Sequence, residues 1–158
     1  MPVVLARVDD RLIHGQVVLG WGRPLAAERI VLVDDTVAGA PWEQDIYRTA
    51  APMGVTIAFA TVEDATAELP TWVADPVRTI LLTGDLHTMA TLHRAHPALL
   101  PRINLGGIHH RQGRTEHLSY LYLDEAERRL IAGLRDRGAI VVAQDLPTSV
   151  GVAGEDLE

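Results

Sequence analysis

The sequence predicts one α/β domain, a doubly wound and mostly parallel sheet of about seven strands with helices on both faces. Three observations favour this fold class. Short runs rich in valine, isoleucine and leucine recur along the chain, and segments with helical signals separate most of them. A length of 158 residues with 47% apolar side chains suits a single hydrophobic core. We expect the domain to span residues 1–150.

The predicted strands are continuous apolar runs rather than alternating ones, as expected where helices cover both faces of a sheet. They are Val3 to Val8, Arg29 to Val33, Val55 to Ala60, Arg78 to Thr83, Ile103 to Leu105, Leu118 to Leu123 and Ala139 to Ala143. The tail, residues 151–158, has little apolar content. We expect it to be flexible and to lie outside the packed domain.

Helical signals follow most of these runs. The segment from Gln16 to Gly22 follows the first strand, and Pro41 to Ala51 follows the second with proline at the first helical position. Thr61 and Asp124 each precede acidic residues and are typical N-caps. Gly138 is positioned to end the last long helix.

Composition and charge exclude several function classes. A formal net charge of -7 argues against a general nucleic-acid or anionic-membrane surface. The chain has no cysteine, which excludes disulfides, thiolate catalysis and thiolate metal sites. We find neither a signal peptide nor an apolar stretch of the roughly 20 residues that cross a bilayer. The expected protein is therefore cytoplasmic, with proteins or small molecules as partners and no metal or cofactor.

The loop after the first strand has the strongest chemical signal. Asp9, Asp10, Arg11 and His14 lie close together where an open α/β sheet carries its ligands. A neutral imidazole can act as a nucleophile, and a guanidinium can stabilise a phosphoryl group. Either aspartate could orient the ring of His14. The residues alone leave a second interpretation equally open, in which His14 caps a helix and Arg11 pairs with a surface aspartate.

Three other groups are weaker. The loop containing Asn104, Gly106, Gly107 and His109 could approach a phosphoryl group or a sugar, but a plain turn explains it as well. The pair Asp34-Asp35 at the end of the second strand suits either the site rim or helix capping. The third group consists of His87, His93 and His96. A solvated helix face explains these histidines better than a zinc site does.

Several motifs of the chain resemble those of a known protein family. The segment Arg7-Val8-Asp9-Asp10-Arg11-Leu12-Ile13-His14-Gly15-Gln16-Val17, with Trp21 a turn later, resembles the phosphorylation site of the IIB component of the mannose/fructose/sorbose family of the bacterial sugar phosphotransferase system. Weaker motifs follow in the family's order, over residues 3 to 148: Val33-Asp34-Asp35, Ala51-Pro52-Met53-Gly54-Val55, Asn104-Leu105-Gly106-Gly107, Gly138-Ala139-Ile140-Val141-Val142 and Asp145-Leu146-Pro147-Thr148.

The resemblance implies a phosphoryl carrier. A phosphoryl group would pass from a phosphohistidine of a IIA protein to Nδ1 of His14, with Arg11 on the phosphate, and then to a sugar bound by the membrane components IIC and IID. The protein would associate peripherally with those components, and a homo-oligomer is left open. Binding of substrate or partner is assigned to the residues around the loops: Arg7, Gly15, Gln16, Asp34, Asp35, Asn104, Gly106, Gly107 and His109.

The chain departs from the family pattern in two places. Gly39-Ala40 stand where asparagine and aspartate are usual, and His109-His110 are more cationic than the usual small polar residues. These changes motivate an alternative, a regulatory phosphocarrier whose phosphorylation state is read by a partner protein. A nucleotide-binding module is disfavoured because no Gly-x-Gly-x-x-Gly follows a strand.

Overall fold

The structure is a computed structural model that describes residues 2–158. The strands of its main sheet are β1 Val3–Val8, β2 Arg29–Val33, β3 Thr56–Ala60, β4 Thr79–Thr83, β5 Arg102–Leu105, β8 Ile140–Ala143 and β9 Val152–Ala153. These seven strands lie in the order β3-β2-β4-β1-β5-β8-β9. All neighbouring strands are parallel except β9, which runs antiparallel to β8. The predicted fold class is confirmed.

Helices cover both faces of this sheet. One face carries α3 Val62–Ala74, α4 Leu86–Ala95 and α5 Glu125–Asp136, and the other carries a π-helix Gln16–Trp21 with α1 Asp35–Ala38 and α2 Pro41–Thr49. Short 3-10 turns occupy Pro97–Leu99 and Gly154–Leu157. Successive side chains of β2 divide between the faces: Ile30 joins one core and Val31 the other. This two-sided burial explains the continuous apolar runs in the sequence.

The predicted caps are present where the sequence has them. The Thr61 side chain accepts a hydrogen bond from the Asp64 N–H at the start of α3. Asp124 forms a reciprocal capping box with Glu127 at the start of α5. Gly138 follows the end of α5 with a φ of 96°, a left-handed conformation that favours glycine.

The predicted strand Leu118 to Leu123 is wrong. This region forms a hairpin of β6 Thr115–Leu118 and β7 Leu121–Leu123, which pair antiparallel in a separate two-stranded sheet. Ser119 and Tyr120 form the turn between them. Leu121 and Leu123 are buried nonetheless, so apolar content alone could not distinguish one long strand from two short ones.

The tail, which we expect to lie outside the packed domain, lies against it. Val152 and Ala153 pair with β8, and the Leu157 side chain is buried in the main core. Arg135 on α5 forms an ion pair with Glu158 at 2.7 Å. One buried leucine and the free edge of β8 suffice to dock the segment, so the strand count reaches seven through β9 and without the 118–123 region.

None of the helices within the described part of the chain combines the length and hydropathy needed to cross a membrane.

Candidate functional site

The candidate site lies at the carboxyl end of β1, the strand in the middle of the sheet between β4 and β5. The loop that leaves β1 is anchored on both neighbours. The Asp9 N–H donates to the Thr83 carbonyl at 2.9 Å, and the Asp10 N–H donates to the Gly107 carbonyl at 2.8 Å. Loops from three strands therefore meet at one edge, which is where open α/β sheets bind ligands.

A buried ion pair forms the floor of the site. Arg7 and Asp9 are both fully buried, and Arg7 Nη2 donates to Asp9 Oδ2 at 3.2 Å. Arg7 also donates to the Asn104 side chain and to the carbonyls of Gln144 and Asp145 at 2.9 and 3.1 Å. These contacts join the ends of β1, β5 and β8. A buried charge without such partners would cost several kcal/mol, so the network holds the loop in one arrangement.

Trp21 closes one side of this network. Its ring lies 4.9 Å from Arg7 Cζ, in cation–π geometry, and its Nε1 donates to the Asp145 carbonyl at 2.9 Å.

Burial lowers the pKa of Arg7, and the neighbouring Asp9 carboxylate opposes that shift. Burial by itself would raise the pKa of Asp9, but the hydrogen bond from Arg11 and the charge of Arg7 outweigh it and lower that pKa. Asp9 is therefore ionised at neutral pH.

Arg11 is the cation at the mouth of the site. Its Nε and Nη2 donate to the two carboxylate oxygens of Asp9 at 3.0 and 2.9 Å, and Nη2 also donates to Gln16 Oε1 at 2.7 Å. The hydrogen bond to Asp9 raises the pKa of Arg11. About a third of the side chain is exposed. The guanidinium is thus oriented by a bidentate contact while part of it faces outward, where a phosphoryl group could approach.

His14 sits beside the same carboxylate. Its Nδ1 lies 2.9 Å from the Leu12 carbonyl, and its Nε2 lies 3.8 Å from Asp9 Oδ2, beyond hydrogen-bond distance. Because a carbonyl only accepts, Nδ1 carries the proton in this arrangement. In the neutral ring the lone pair is then on Nε2, which is buried and has no hydrogen-bond partner among the described residues. The imidazole must therefore turn before Nδ1 could act as the nucleophile.

The backbone at Leu12 creates this arrangement. Leu12 has a φ of 62°, a left-handed conformation that is strained for a residue other than glycine. Its side chain packs on Gly84, where an added Cβ would lie only 2.8 Å from Leu12 Cδ2. The residues after Gly15 continue as a π-helix, a rare form that is frequent at functional sites. Gly15 is the N-cap, and no side chain of residues 2–158 caps this helix.

The loop after β5 approaches the same site. A Cβ on Gly106 would lie 2.3 Å from Arg7 Nη2 and 2.6 Å from Asp9 Oδ2, so only glycine fits over the ion pair. His109 binds Asp10 twice, through its N–H at 2.7 Å and through Nδ1 at 2.5 Å. The two aspartates after β1 thus divide: Asp9 faces Arg11 and His14, and Asp10 faces His109.

Two of the predicted site residues lie elsewhere. Asp34 caps α1 by accepting from the Val37 N–H at 2.9 Å, and Asp35 accepts from the Val62 N–H at 2.8 Å. Within residues 2–158, neither carboxylate bonds to Arg7, Asp9, Arg11 or His14. The structure supports the capping interpretation for Asp34, which caps the helix that follows it, whereas Asp35 binds the first residue of α3.

The three histidines in and after α4 do not share a solvated face. His93 is fully buried, whereas His87 is exposed and His96 Nε2 contacts the Thr66 carbonyl at 2.7 Å. The part of the chain that the structure describes contains no group of three or more histidine or carboxylate side chains arranged to hold a metal ion.

Sequence reasoning missed the roles of Gln144 and Asp145. Their carbonyls bind Arg7, and the Asp145 carboxylate lies 3.9 Å from Arg11 Nη2. A usable signal was present, because both residues directly follow β8 and so lie at the same edge of the sheet as Asp9. None of the residues that we assigned to the site from the sequence lies in the loop after β8.

Comparisons with known proteins agree on one family. The profile described as "PTS system sorbose subfamily IIB component" matches residues 3–156. The chain is 30% identical over 146 residues to the N-acetylgalactosamine-specific phosphotransferase enzyme IIB component 1 of Escherichia coli (strain K12), covering 92% of this chain and 91% of that protein. It is 29% identical over 162 residues to the mannose-specific EIIAB component of the same strain, covering 99% of this chain and 48% of that longer protein.

A solved structure supports the same grouping. The IIBSor domain of the sorbose permease from Klebsiella pneumoniae superposes with a TM-score of 0.89 at 26% identity, over 99% of this chain and 96% of that domain.

Proposed function

The chain belongs to the sorbose subfamily of IIB components of the sugar phosphotransferase system, and from this premise we propose that His14 is the residue that carries the phosphoryl group. The observation that carries the proposal is the convergence of His14 and Arg11 on the buried carboxylate of Asp9 at the end of β1. A nucleophilic imidazole and an oriented guanidinium are the two groups that phosphoryl transfer to histidine requires.

The transfer itself needs little from the protein beyond position and charge. The bond from phosphorus to the donor's ring nitrogen breaks as the bond to His14 forms, and charge spreads over the phosphoryl oxygens in between. Arg11 can neutralise that charge because Asp9 already fixes the plane of its guanidinium. Arg7 lies beneath and balances Asp9, so that Arg11 retains a net attraction for an anion.

The imidazole must be neutral and must release one nitrogen to attack. In the structure Nδ1 donates to Leu12 and Nε2 is buried. We therefore propose that docking of the donor turns the ring of His14 out of its contact with the Leu12 carbonyl. The phosphoryl group then occupies the mouth of the site beside Arg11, where the guanidinium is partly exposed.

The donor that we propose is a phosphohistidine of a IIA protein, and the acceptor is a sugar held by the membrane components IIC and IID. The match to one half of a mannose-specific EIIAB component supports a IIA donor, since that name joins a IIA and a IIB unit. The protein would then act at the cytoplasmic side of the membrane. Relatives named for N-acetylgalactosamine, sorbose and mannose all match most of this chain. We therefore assign the choice of sugar to the membrane components.

The test is phosphorylation by the general phosphotransferase proteins with phosphoenolpyruvate and a IIA protein of the same family. We expect one phosphoryl group per chain, labile to acid and stable to alkali, located on His14 by mass spectrometry. His14→Gln should abolish the label. His87→Gln, an exposed histidine on α4, is the matched control and should label like the wild type. Full labelling of His14→Gln would show that another residue is the carrier.

A further inference from the structure

His109 is held on the rim of the site in a way that packing does not require. Its side chain is 54% exposed, yet Asp10 accepts both its N–H and its Nδ1. Its carbonyl accepts from Arg114 Nη1 at 2.8 Å, and Arg114 is in turn fixed by the buried Glu127. A half-exposed histidine with its backbone and ring fixed from two sides is positioned for a ligand rather than for the core.

The direction of the ring follows from its partner. A carboxylate only accepts, so Nδ1 carries a proton towards Asp10 and Nε2 points away from it. Nε2 carries a proton as well when the ring is protonated, and it can then donate. The protonated ring of His109 thus offers one donor group that no residue of the described chain takes up in the hydrogen bonds of the site.

The ring borders the proposed phosphoryl position. The point that a Cβ on Gly107 would occupy lies 3.2 Å from each of three atoms: Arg11 Nε, Asp9 Oδ1 and His109 Cε1. His109 Cε1 is therefore within twice that distance of the Arg11 guanidinium, across a glycine that leaves the space between them open. Cε1 is bonded to both ring nitrogens, and because Asp10 holds Nδ1, Nε2 is the ring nitrogen that remains available to a ligand beside Arg11.

We propose that His109 is a catalytic residue of phosphoryl transfer: in its protonated form, its Nε2–H donates to an oxygen of the phosphoryl group as the group moves onto His14. His109 forms no bond to phosphorus and keeps its proton. Together with Arg11 it contacts the phosphoryl group from two sides. Asp10 orients the ring of His109 in the same way that Asp9 orients the guanidinium of Arg11. This inference rests on His14 being the carrier.

The test compares two substitutions that separate the two ends of the ring. Asparagine at position 109 places an amide near Nδ1 and keeps the bond to Asp10, but it has nothing at the position of Nε2. Glutamine places a neutral donor near Nε2. The probe is potassium phosphoramidate, a small phosphorus–nitrogen donor that needs no partner protein. The rate of His14 labelling is followed by mass spectrometry of the intact protein and its peptides.

We expect His109→Asn to label His14 at least tenfold more slowly than the wild type, as for the loss of one charge-assisted hydrogen bond. His109→Gln should lie between the two. The control is His110→Asn, because His110 stacks edge-on against Tyr122 at 5.7 Å and points to a different neighbour. It should label at the wild-type rate.

The inference is overturned if His109→Asn labels as fast as the wild type. It is also overturned if His109→Gln is the slower of the two, since only the tie to Asp10 would then matter. Failure of the underlying carrier assignment looks different: His14→Gln would keep its label, whatever the residue at position 109. Circular dichroism spectra that match the wild type are required of each variant before its rate is compared.

Discussion

Replacing Gly106 with alanine would place a methyl group in the ion pair beneath the site. The added Cβ would lie 2.3 Å from Arg7 Nη2, 2.5 Å from Arg7 Cζ and 2.6 Å from Asp9 Oδ2. Gly106 is not among the residues with positive φ, so alanine fits its backbone and the contact is the whole perturbation. Both charged groups are fully buried and cannot swing into solvent.

The cost can be worked from the bonds at Arg7 Nη2. This atom donates to Asp9 at 3.2 Å and to the Asp145 carbonyl at 3.1 Å, and a shift of about 1 Å would weaken both bonds. Hydrogen bonds to charged groups are worth about 1.5–3 kcal/mol each, and breaking a buried ion pair costs about 3–5 kcal/mol. We expect Gly106→Ala to lower the free energy of unfolding by about 3 kcal/mol.

The assay is equilibrium unfolding in urea. With an m-value of about 2 kcal/mol/M, the midpoint should fall by about 1.5 M without a change in m. The matched control is Gly15→Ala, because Gly15 has helical dihedrals and an added Cβ would meet nothing within 4 Å. The control should unfold at or slightly above the wild-type midpoint. A loss below about 1 kcal/mol in Gly106→Ala would refute the argument, since Arg7 and Asp9 could then shift at little cost.

Two further predictions concern the site and the core. Arg11→Met should slow the labelling of His14 by phosphoramidate on the order of a hundredfold, as for the loss of one preorganised charge-stabilising group, and unchanged labelling would remove Arg11 from the mechanism. Burial, helped by the charge of Arg137, lowers the pKa of His93, and neither ring nitrogen has a partner within residues 2–158. In the unfolded chain this histidine has a pKa of about 6.5 and binds a proton below that pH, whereas in the folded chain it stays neutral to lower pH. The free energy of unfolding therefore falls as the pH drops through about 6.5. In His93→Leu the free energy of unfolding should fall less steeply between pH 7 and 5, by at most about 1.4 kcal/mol per pH unit. The exposed control is His87→Leu, which should keep the wild-type slope. Urea unfolding that gives His93→Leu the same slope as the wild type would contradict this.

The sequence alone sufficed for the elements whose signals are local. The strand Val3–Val8 and the caps at Thr61 and Asp124 occur where the apolar run and the side-chain oxygens predict them. The edge of the sheet that holds the site also followed from chain order, because the loop with His14 directly follows the first strand and so leaves its carboxyl end. Such features depend on residues within a few positions of one another.

Other features could not be predicted from the sequence, because residues far away along the chain decide them. Nothing near Leu118 marks a hairpin instead of a strand, and the tail docks only because β8 leaves an edge free beside α5. The burial of His93 depends on the packing of α4 against neighbours far along the chain. Local composition cannot report such contacts, because a short segment has only a weak preference for either state and its tertiary partners decide between them.

The site itself divides in the same way. The sequence determined that His14 and Arg11 share a turn at the end of an apolar strand, since both lie in one short segment. Only the tertiary structure decided that Asp9 rather than Asp10 faces them, that Arg7 lies buried beneath, and that His109 comes to the rim. The reason is physical: a buried charge must find its partners wherever the fold brings them, and here they come from the ends of β5 and β8.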